Sequence, residues 1–255
     1  MDLIIGSTSQ ISMYLPRNAV RVSSRSVPTE IFEKSWDRVY LCFAEQRTRH
    51  AKNLEYKESF YDINVSLTLD IARRLKAKKI IYYSTTELWN LYDHSISLNL
   101  NYNYESDYYT DSKHKATIKM LELENSIILY PFNFNSKHRN SDYLFGKIFD
   151  SIINRRNVCV GNLDQNREIL HASWVAKQSA NSDCHTIIGS GGLINVRRYV
   201  NDLYEYFGLS FHELVSETAD FFVKKKPIYL ESNKIVYTYQ ELIEDTINDL
   251  QTTSR

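Results

Sequence analysis

Tyr109 and Lys113 stand four residues apart in the stretch Tyr-Thr-Asp-Ser-Lys. Side chains at i and i+4 share one face of a helix. A lysine ammonium held beside a phenol favours the phenolate. A free tyrosine titrates near ~10, and acid/base work near neutral pH requires lowering that by roughly 3 pH units, about 4 kcal/mol. One buried cation plus a second positive group could supply this. In a chain with 19 tyrosines the same spacing also describes a solvated helix face, so the surrounding elements have to decide.

Those elements alternate between short apolar runs and helical patterns, which points to a parallel α/β sheet. Strands are expected at Leu3 to Gly6, Ala19 to Ser23, Val39 to Phe43, Lys79 to Ser84 and Ser126 to Tyr130. Val39 to Phe43 is a continuous apolar run, as a strand buried on both faces requires. A short helix ending near Leu15 and Pro16 follows the first strand. Tyr61 to Lys76 carries Ile63, Leu67, Ile71 and Leu75 at helical spacing. The Tyr109 helix runs to about Leu123, and Asn99 to Tyr104 reads as a loop. Past Pro131 the pattern loosens, with helices near Tyr143 to Asn154, Val196 to Phe207 and Tyr239 to Leu250.

Composition sets outer bounds. The 255 residues, 43% of them hydrophobic, suffice for one domain or a large domain with a small lobe. The 31 basic and 31 acidic side chains balance, which disfavours a nucleic-acid binder. Cys42, Cys159 and Cys184 are odd in number and widely spaced, as expected of reduced thiols in a cytoplasmic protein. No apolar run approaches the ~20 residues of a membrane span, and the N-terminus lacks the pattern of a signal peptide. No His, Cys, Asp or Glu cluster has metal-ligand spacing.

Six segments, in order, resemble the extended short-chain dehydrogenase/reductase family of nucleotide-sugar epimerases, dehydratases and reductases. Asp62-Ile63-Asn64-Val65 resembles its Asn-Val segment, and Ser84-Thr85-Thr86-Glu87-Leu88-Trp89 its Ser-Ser/Thr-x-Glu-Val-Tyr strand end. Tyr109-Thr110-Asp111-Ser112-Lys113 matches its catalytic Tyr-x-x-Ser-Lys helix, and Pro131-Phe132-Asn133 resembles its Arg-Pro-x-Asn. Arg167 to Ala176 resembles its Arg-Asp-Phe-x-His-Val segment, and Ile188-Gly189-Ser190-Gly191 its Asn-Val-Gly-x-Gly. The resemblance implies a Rossmann-type doubly wound α/β fold. Residues 1–133 would bind NAD(P), segments around 169–190 would return to that domain, and 134–255 would form mainly a small substrate lobe.

Two departures stand out. The family's Gly-x-x-Gly-x-x-Gly nucleotide loop reads here Gly6-Ser7-Thr8-Ser9-Gln10-Ile11-Ser12, with serine at two glycine positions. Glycine there permits a tight turn and close backbone approach to pyrophosphate, so the loop is expected to bind more loosely. The interval from Ser23 to Val39 is also too short for the family's extra strand and helix. The sheet should therefore lack one edge strand, with a single crossover helix around Glu30 to Lys34.

From the resemblance, Tyr109 would exchange a proton with a substrate hydroxyl or carbonyl. Lys113 would lower its pKa and bond the nicotinamide ribose, and Thr85 would bond the same substrate oxygen. Gly6, Ser9, Ser12, Ser24 and Arg25 would complete the cofactor site. Ser24 and Arg25 follow the second strand with no acid before Glu30, which favours NADP over NAD. Thr86, Glu87, Asn133 and Arg167 would face the substrate, Arg167 at its diphosphate. Thr86 stands where family dehydratases place an aspartate, and it has no proton that titrates near neutral pH, so a 4,6-dehydratase is disfavoured. His171 reads as structural. The expected activity is reduction of a keto group on a nucleotide-diphosphate sugar. An epimerase holding NAD tightly and a non-catalytic nucleotide-binding protein are the alternatives. The family's dimer contact would fall on the Tyr61 to Lys76 and Tyr109 to Leu123 helices, giving a homodimer.

Overall fold

The computed structural model describes residues 1–92, 95–218 and 227–252. It divides into two units, one of residues 1–91, 98–131 and 176–188, the other of residues 92–97, 132–175 and 189–255. The first unit holds a six-stranded, wholly parallel sheet. Its strands in chain order are β1 (Leu3–Ile5), β2 (Val20–Val22), β3 (Ser35–Leu41), β4 (Lys76–Tyr83), β5 (Ser126–Pro131) and β6 (Thr186–Ile188). Across the sheet they lie in the order β6-β5-β4-β3-β1-β2. Leu3, Ile4, Ile5, Val39, Tyr40, Ile81, Ile128 and Leu129 are fully buried. That is why the central strands read as unbroken apolar runs and not as alternation. The interval after β2 holds one 3₁₀ turn, Thr29–Phe32, in place of the expected helix. No strand lies between β2 and β3, so β2 is the sheet's edge and is only half-buried.

The first crossover is also shorter than expected. After Gly6 the chain makes one 3₁₀ turn, Ser12–Tyr14. Leu15 is extended, at φ −71° and ψ 164°, because the following Pro16 disfavours helical backbone before it. The Tyr61 to Lys76 segment begins earlier and is interrupted. Helix α1 (Lys57–Tyr61) runs through a π segment, Asp62–Leu67, into α2 (Thr68–Arg74). The wider π turn rotates the buried face onto Asn64 and Thr68, while Ile63 and Leu67 of the expected stripe are half-buried. β4 starts at Lys76, three residues before the expected Lys79, because Ser35 to Arg38 pair with Lys76 to Lys79. Helix α3 (Tyr108–Leu121) packs against the π segment, α1, α2 and β5.

The second unit is built from short paired strands and three longer helices. Asn133–Asn135 pairs in parallel with Ile169–His171, and Asn166–Arg167 pairs antiparallel with Ile194–Asn195. The helices are Leu144–Asn154, Val196–Tyr206 and Tyr239–Gln251. Their apolar faces bury Phe149, Tyr199, Leu203 and Leu242. The last helix starts with a capping box between Thr238 and Glu241. Among the described residues no helix is long and apolar enough to cross a membrane.

Candidate active site

In an open parallel sheet, ligands bind beyond the carboxyl ends of the strands. Gly6 lies at that end of β1, Cys42 to Glu45 at that end of β3, and Ser84 to Thr86 at that end of β4. Thr85 is buried and caps the next turn, its Oγ1 accepting from the Glu87 amide at 3.2 Å. That bond uses a lone pair and leaves the hydroxyl proton to donate. Thr86 is buried beside it, and half-buried Glu87 accepts from Asn90 Nδ2 at 3.2 Å.

The Tyr109 and Lys113 positions share α3, whose N-cap Asp107 accepts from the Thr110 amide at 2.7 Å. Tyr109 is half-buried, with its ring edge-on to Phe60 at 6.3 Å. Lys113 is 3% exposed. Its ammonium donates to the Tyr83 carbonyl at the end of β4 and lies 4.4 Å from the centre of the Tyr82 ring. Burial lowers its pKa from 10.5 to about 7. Burial pushes the Tyr82 phenol up, and the nearby Tyr109 adds to that. The lysine is thus anchored to the strand end by the Tyr83 carbonyl.

Two hydrogen-bond relays that the sequence reading did not single out fix α3. Ser84 Oγ and Thr117 Oγ1 are 2.6 Å apart, and Thr117 donates to the Lys113 carbonyl at 2.7 Å. Buried Asn64 donates to Ser112 Oγ at 2.9 Å, and Ser112 donates to the Tyr109 carbonyl at 2.8 Å. The same Asn64 amide accepts from the Glu45 amide at 2.7 Å and donates to the Glu45 carbonyl at 3.2 Å. Asn64 thus joins the loop after β3 to the helix carrying Tyr109. Its sequence signals were the Asn64-Val65 match to the family's Asn-Val segment and a polar side chain inside a helical apolar stripe.

The nucleotide loop keeps the feature that demands glycine. Gly6 has φ +95°, and a Cβ there would sit 2.6 Å from the Cys42 carbonyl oxygen. The two serines replacing glycines turn inward. Ser9 Oγ accepts from the Ser12 amide at 3.3 Å and bonds the buried Cys42 thiol. Ser12 is fully buried, and its hydroxyl faces the carbonyls of Ser7 (2.9 Å) and Ser9 (2.7 Å). The Ser12 side chain thus closes the loop from inside. Thr8 is exposed and Ser7 and Gln10 are half-buried, so the loop's outer side offers small hydroxyls and an amide that can bond phosphate, and the residues present fit a dinucleotide. Past β2, Ser24 is half-buried and Arg25 exposed, with the Arg25 amide donating to Ser23 Oγ at 3.2 Å.

In the second unit, Asn133 is exposed on its strand, and half-buried Arg167 donates through Nε to Gln165 Oε1 at 2.8 Å. The neighbouring Glu168 is 1% exposed. Burial pushes its carboxyl up, and backbone donors hold it. Oε1 accepts from the amides of Ser190 and Gly191 (2.9 Å), and Oε2 from that of Leu230 (2.7 Å). A buried acid between Arg167 and the apolar Ile169-Leu170 was its sequence signal. His171 is structural in its contacts, Nε2 lying 3.3 Å from Asp249 and Nδ1 2.7 Å from Ser173 Oγ. Among the described residues no group of three or more His, Cys, Asp or Glu is placed to hold a metal ion.

A family model described as the NAD dependent epimerase/dehydratase family matches residues 9–179. Comparison with curated proteins by sequence gives no match. Solved structures share the fold across nearly the whole chain. MoeE5 in complex with UDP-glucose and NAD has a TM-score of 0.79 at 15% identity, covering 100% of this chain and 99% of that one. RMD from Pseudomonas aeruginosa complexed with NADPH has a TM-score of 0.76 at 13% identity, covering 98% and 99%. UDP-glucuronic acid 4-epimerase from Bacillus cereus in complex with NAD has a TM-score of 0.75 at 12% identity, covering 98% and 96%.

Proposed function

Since the chain belongs to the NAD dependent epimerase/dehydratase family, we propose that it is an NAD(P)-dependent oxidoreductase that reduces a keto group on a nucleotide-diphosphate sugar. The observation that carries this reading is the placement of α3. Tyr109 and Lys113 lie on one helix, which the Ser84–Thr117 relay pins to the strand end bearing Thr85 and the Asn64–Ser112 relay ties to the loop after β3. A nicotinamide dinucleotide supplies the hydride when bound.

The protein's own part is positional and protonic. Tyr109 gives its proton to the carbonyl oxygen as the alcohol forms. Thr85 donates its hydroxyl proton to the same oxygen and holds it in place. Lys113, fixed at the Tyr83 carbonyl, places a cation one helical turn from the phenol and favours the phenolate left behind. Gly6 and the backbone of the Ser7 to Ser12 loop would cradle the diphosphate of the cofactor. Ser24 and Arg25, with no acid before Glu30, favour the 2'-phosphate of NADP over the free hydroxyl of NAD. In the second unit, Arg167 would pair with the substrate's diphosphate and Asn133 with its sugar, Glu168 holding the strands around them. Thr86 offers no acid, which counts against a dehydratase. We place a homodimer contact on the α1–α2 and α3 helices, where Ile118 is 39% exposed.

Thermal unfolding with NADPH, NADP, NADH, NAD or no addition tests this. A ligand at 100 times its Kd stabilises the fold by about 2.7 kcal/mol, so NADPH and NADP should raise the midpoint clearly and the unphosphorylated pair less. A response to NAD and NADH alone would move the reading to an epimerase that keeps its NAD. No response to any of the four, in protein free of bound nucleotide, would sink the catalytic reading.

A further inference from the structure

The nucleotide loop has little positive potential of its own. A full first helix would aim a dipole worth roughly half a positive charge at the diphosphate, but here that helix is one 3₁₀ turn of three residues. Several loop amides are already engaged. Gly6 and Ser7 both donate to the Val22 carbonyl (2.9 and 3.2 Å), and Ser9 donates to that of Gly6 at 3.0 Å.

One cation sits directly beneath this loop. Arg21 is the middle residue of β2, the edge strand. Its guanidinium donates to the carbonyls of Ser12 (2.5 Å), Leu15 (3.0 Å) and Pro16 (3.3 Å), the oxygens that close the loop's far end. Its charge also acts on the buried Cys42 thiol, which Ser9 of the loop bonds. Arg21 therefore holds the loop's far end and acts on a group that the loop itself contacts. Among the described residues no carboxylate forms an ion pair with it, and it is half-buried, so its field is only partly screened.

We infer that Arg21 supplies, as a fixed charge under the Gly6 to Ser12 loop, the attraction for the cofactor's diphosphate that the shortened first helix cannot. This rests on the dinucleotide reading above. Arg21 acts through field and loop shape, since its donors are held by carbonyls, and it is a positioning residue. Lysine would keep the charge but not the planar three-carbonyl fork.

The test is equilibrium titration of NADPH, and of reduced nicotinamide riboside as a phosphate-free probe, into the unsubstituted chain, Arg21→Lys and Arg21→Gln. Unfolding of each without ligand runs alongside. A unit charge one loop's thickness away, partly screened, is worth roughly tenfold in affinity. Arg21→Gln should raise the NADPH Kd about tenfold at low salt, the gap closing to about twofold near 0.5 M as the screening length falls to about 4 Å. Arg21→Lys should stay within about threefold, and riboside binding should not change. Equal losses in the two variants, equal losses for the riboside, or no change in Arg21→Gln would overturn the assignment. Should Arg21→Gln not fold, Arg21→Met takes its place in the same titrations, and an NADPH Kd unchanged from the unsubstituted chain overturns the assignment. Failure of the unsubstituted chain to bind NADPH at all is a separate result, one that removes the dinucleotide reading itself.

Discussion

Lys113→Met removes a buried cation while nearly keeping its shape, and its effect on stability should change sign with pH. The folded chain lowers the Lys113 pKa from 10.5 to about 7 by burial. Between those values the unfolded chain binds more protons, so raising the pH stabilises the fold. Below about pH 7 the lysine is charged in both states and its burial penalty is fully present. At 1.36 kcal/mol per pH unit, that penalty is about 4 kcal/mol at pH 7 and about 1 kcal/mol at pH 10. Methionine abolishes it but strands the Tyr83 carbonyl that the ammonium now bonds, at about 2 kcal/mol independent of pH. Lys113→Met should therefore be more stable than the unsubstituted chain by about 2 kcal/mol at pH 7 and less stable by about 1 kcal/mol at pH 10. Paired urea unfolding curves at the two pH values measure this. The tyrosines whose burial raises their own pKa are common to both chains and cancel. The roughly 3 kcal/mol change between pH values reports the lysine alone, because the carbonyl loss does not titrate. An effect of Lys113→Met that is the same at both pH values would refute the reasoning, because it would mean that the ammonium reaches water.

Tyr109→Phe should lower kcat by about 10²- to 10⁴-fold while leaving NADPH affinity within about threefold, read by steady-state kinetics and fluorescence titration. A loss confined to KM would remove Tyr109 from proton transfer. Gly6→Ala meets the Cys42 carbonyl at 2.6 Å and a positive φ. It should destabilise the fold by more than about 2 kcal/mol and weaken cofactor binding, seen in urea unfolding and titration.

The order of elements was legible in the chain because burial on both faces makes each central strand a continuous apolar run. The resemblance built on six spaced motifs is borne out by the family match over residues 9–179. The missing edge strand was legible too, as an interval too short to hold it. Boundaries were less so. The lysines at the start of β4 look helical or solvated until Ser35 to Arg38 pair with them, and the first helix, although it ends near Leu15 as expected, is a single 3₁₀ turn that begins only at Ser12. The chain alone thus determined the parallel α/β order and singled out the Tyr109, Lys113 and Thr85 set that we propose as catalytic. These depend on local periodicity, spacing and a motif within a few residues. Tertiary structure alone decided that the loop serines point inward, that Asn64 links the Glu45 loop to the Tyr109 helix, and that Lys113 is held by a strand carbonyl. It also placed Arg21 beneath the nucleotide loop. Each of these is a contact between segments separated in sequence, set by how the elements pack, and spacing along one chain does not encode it.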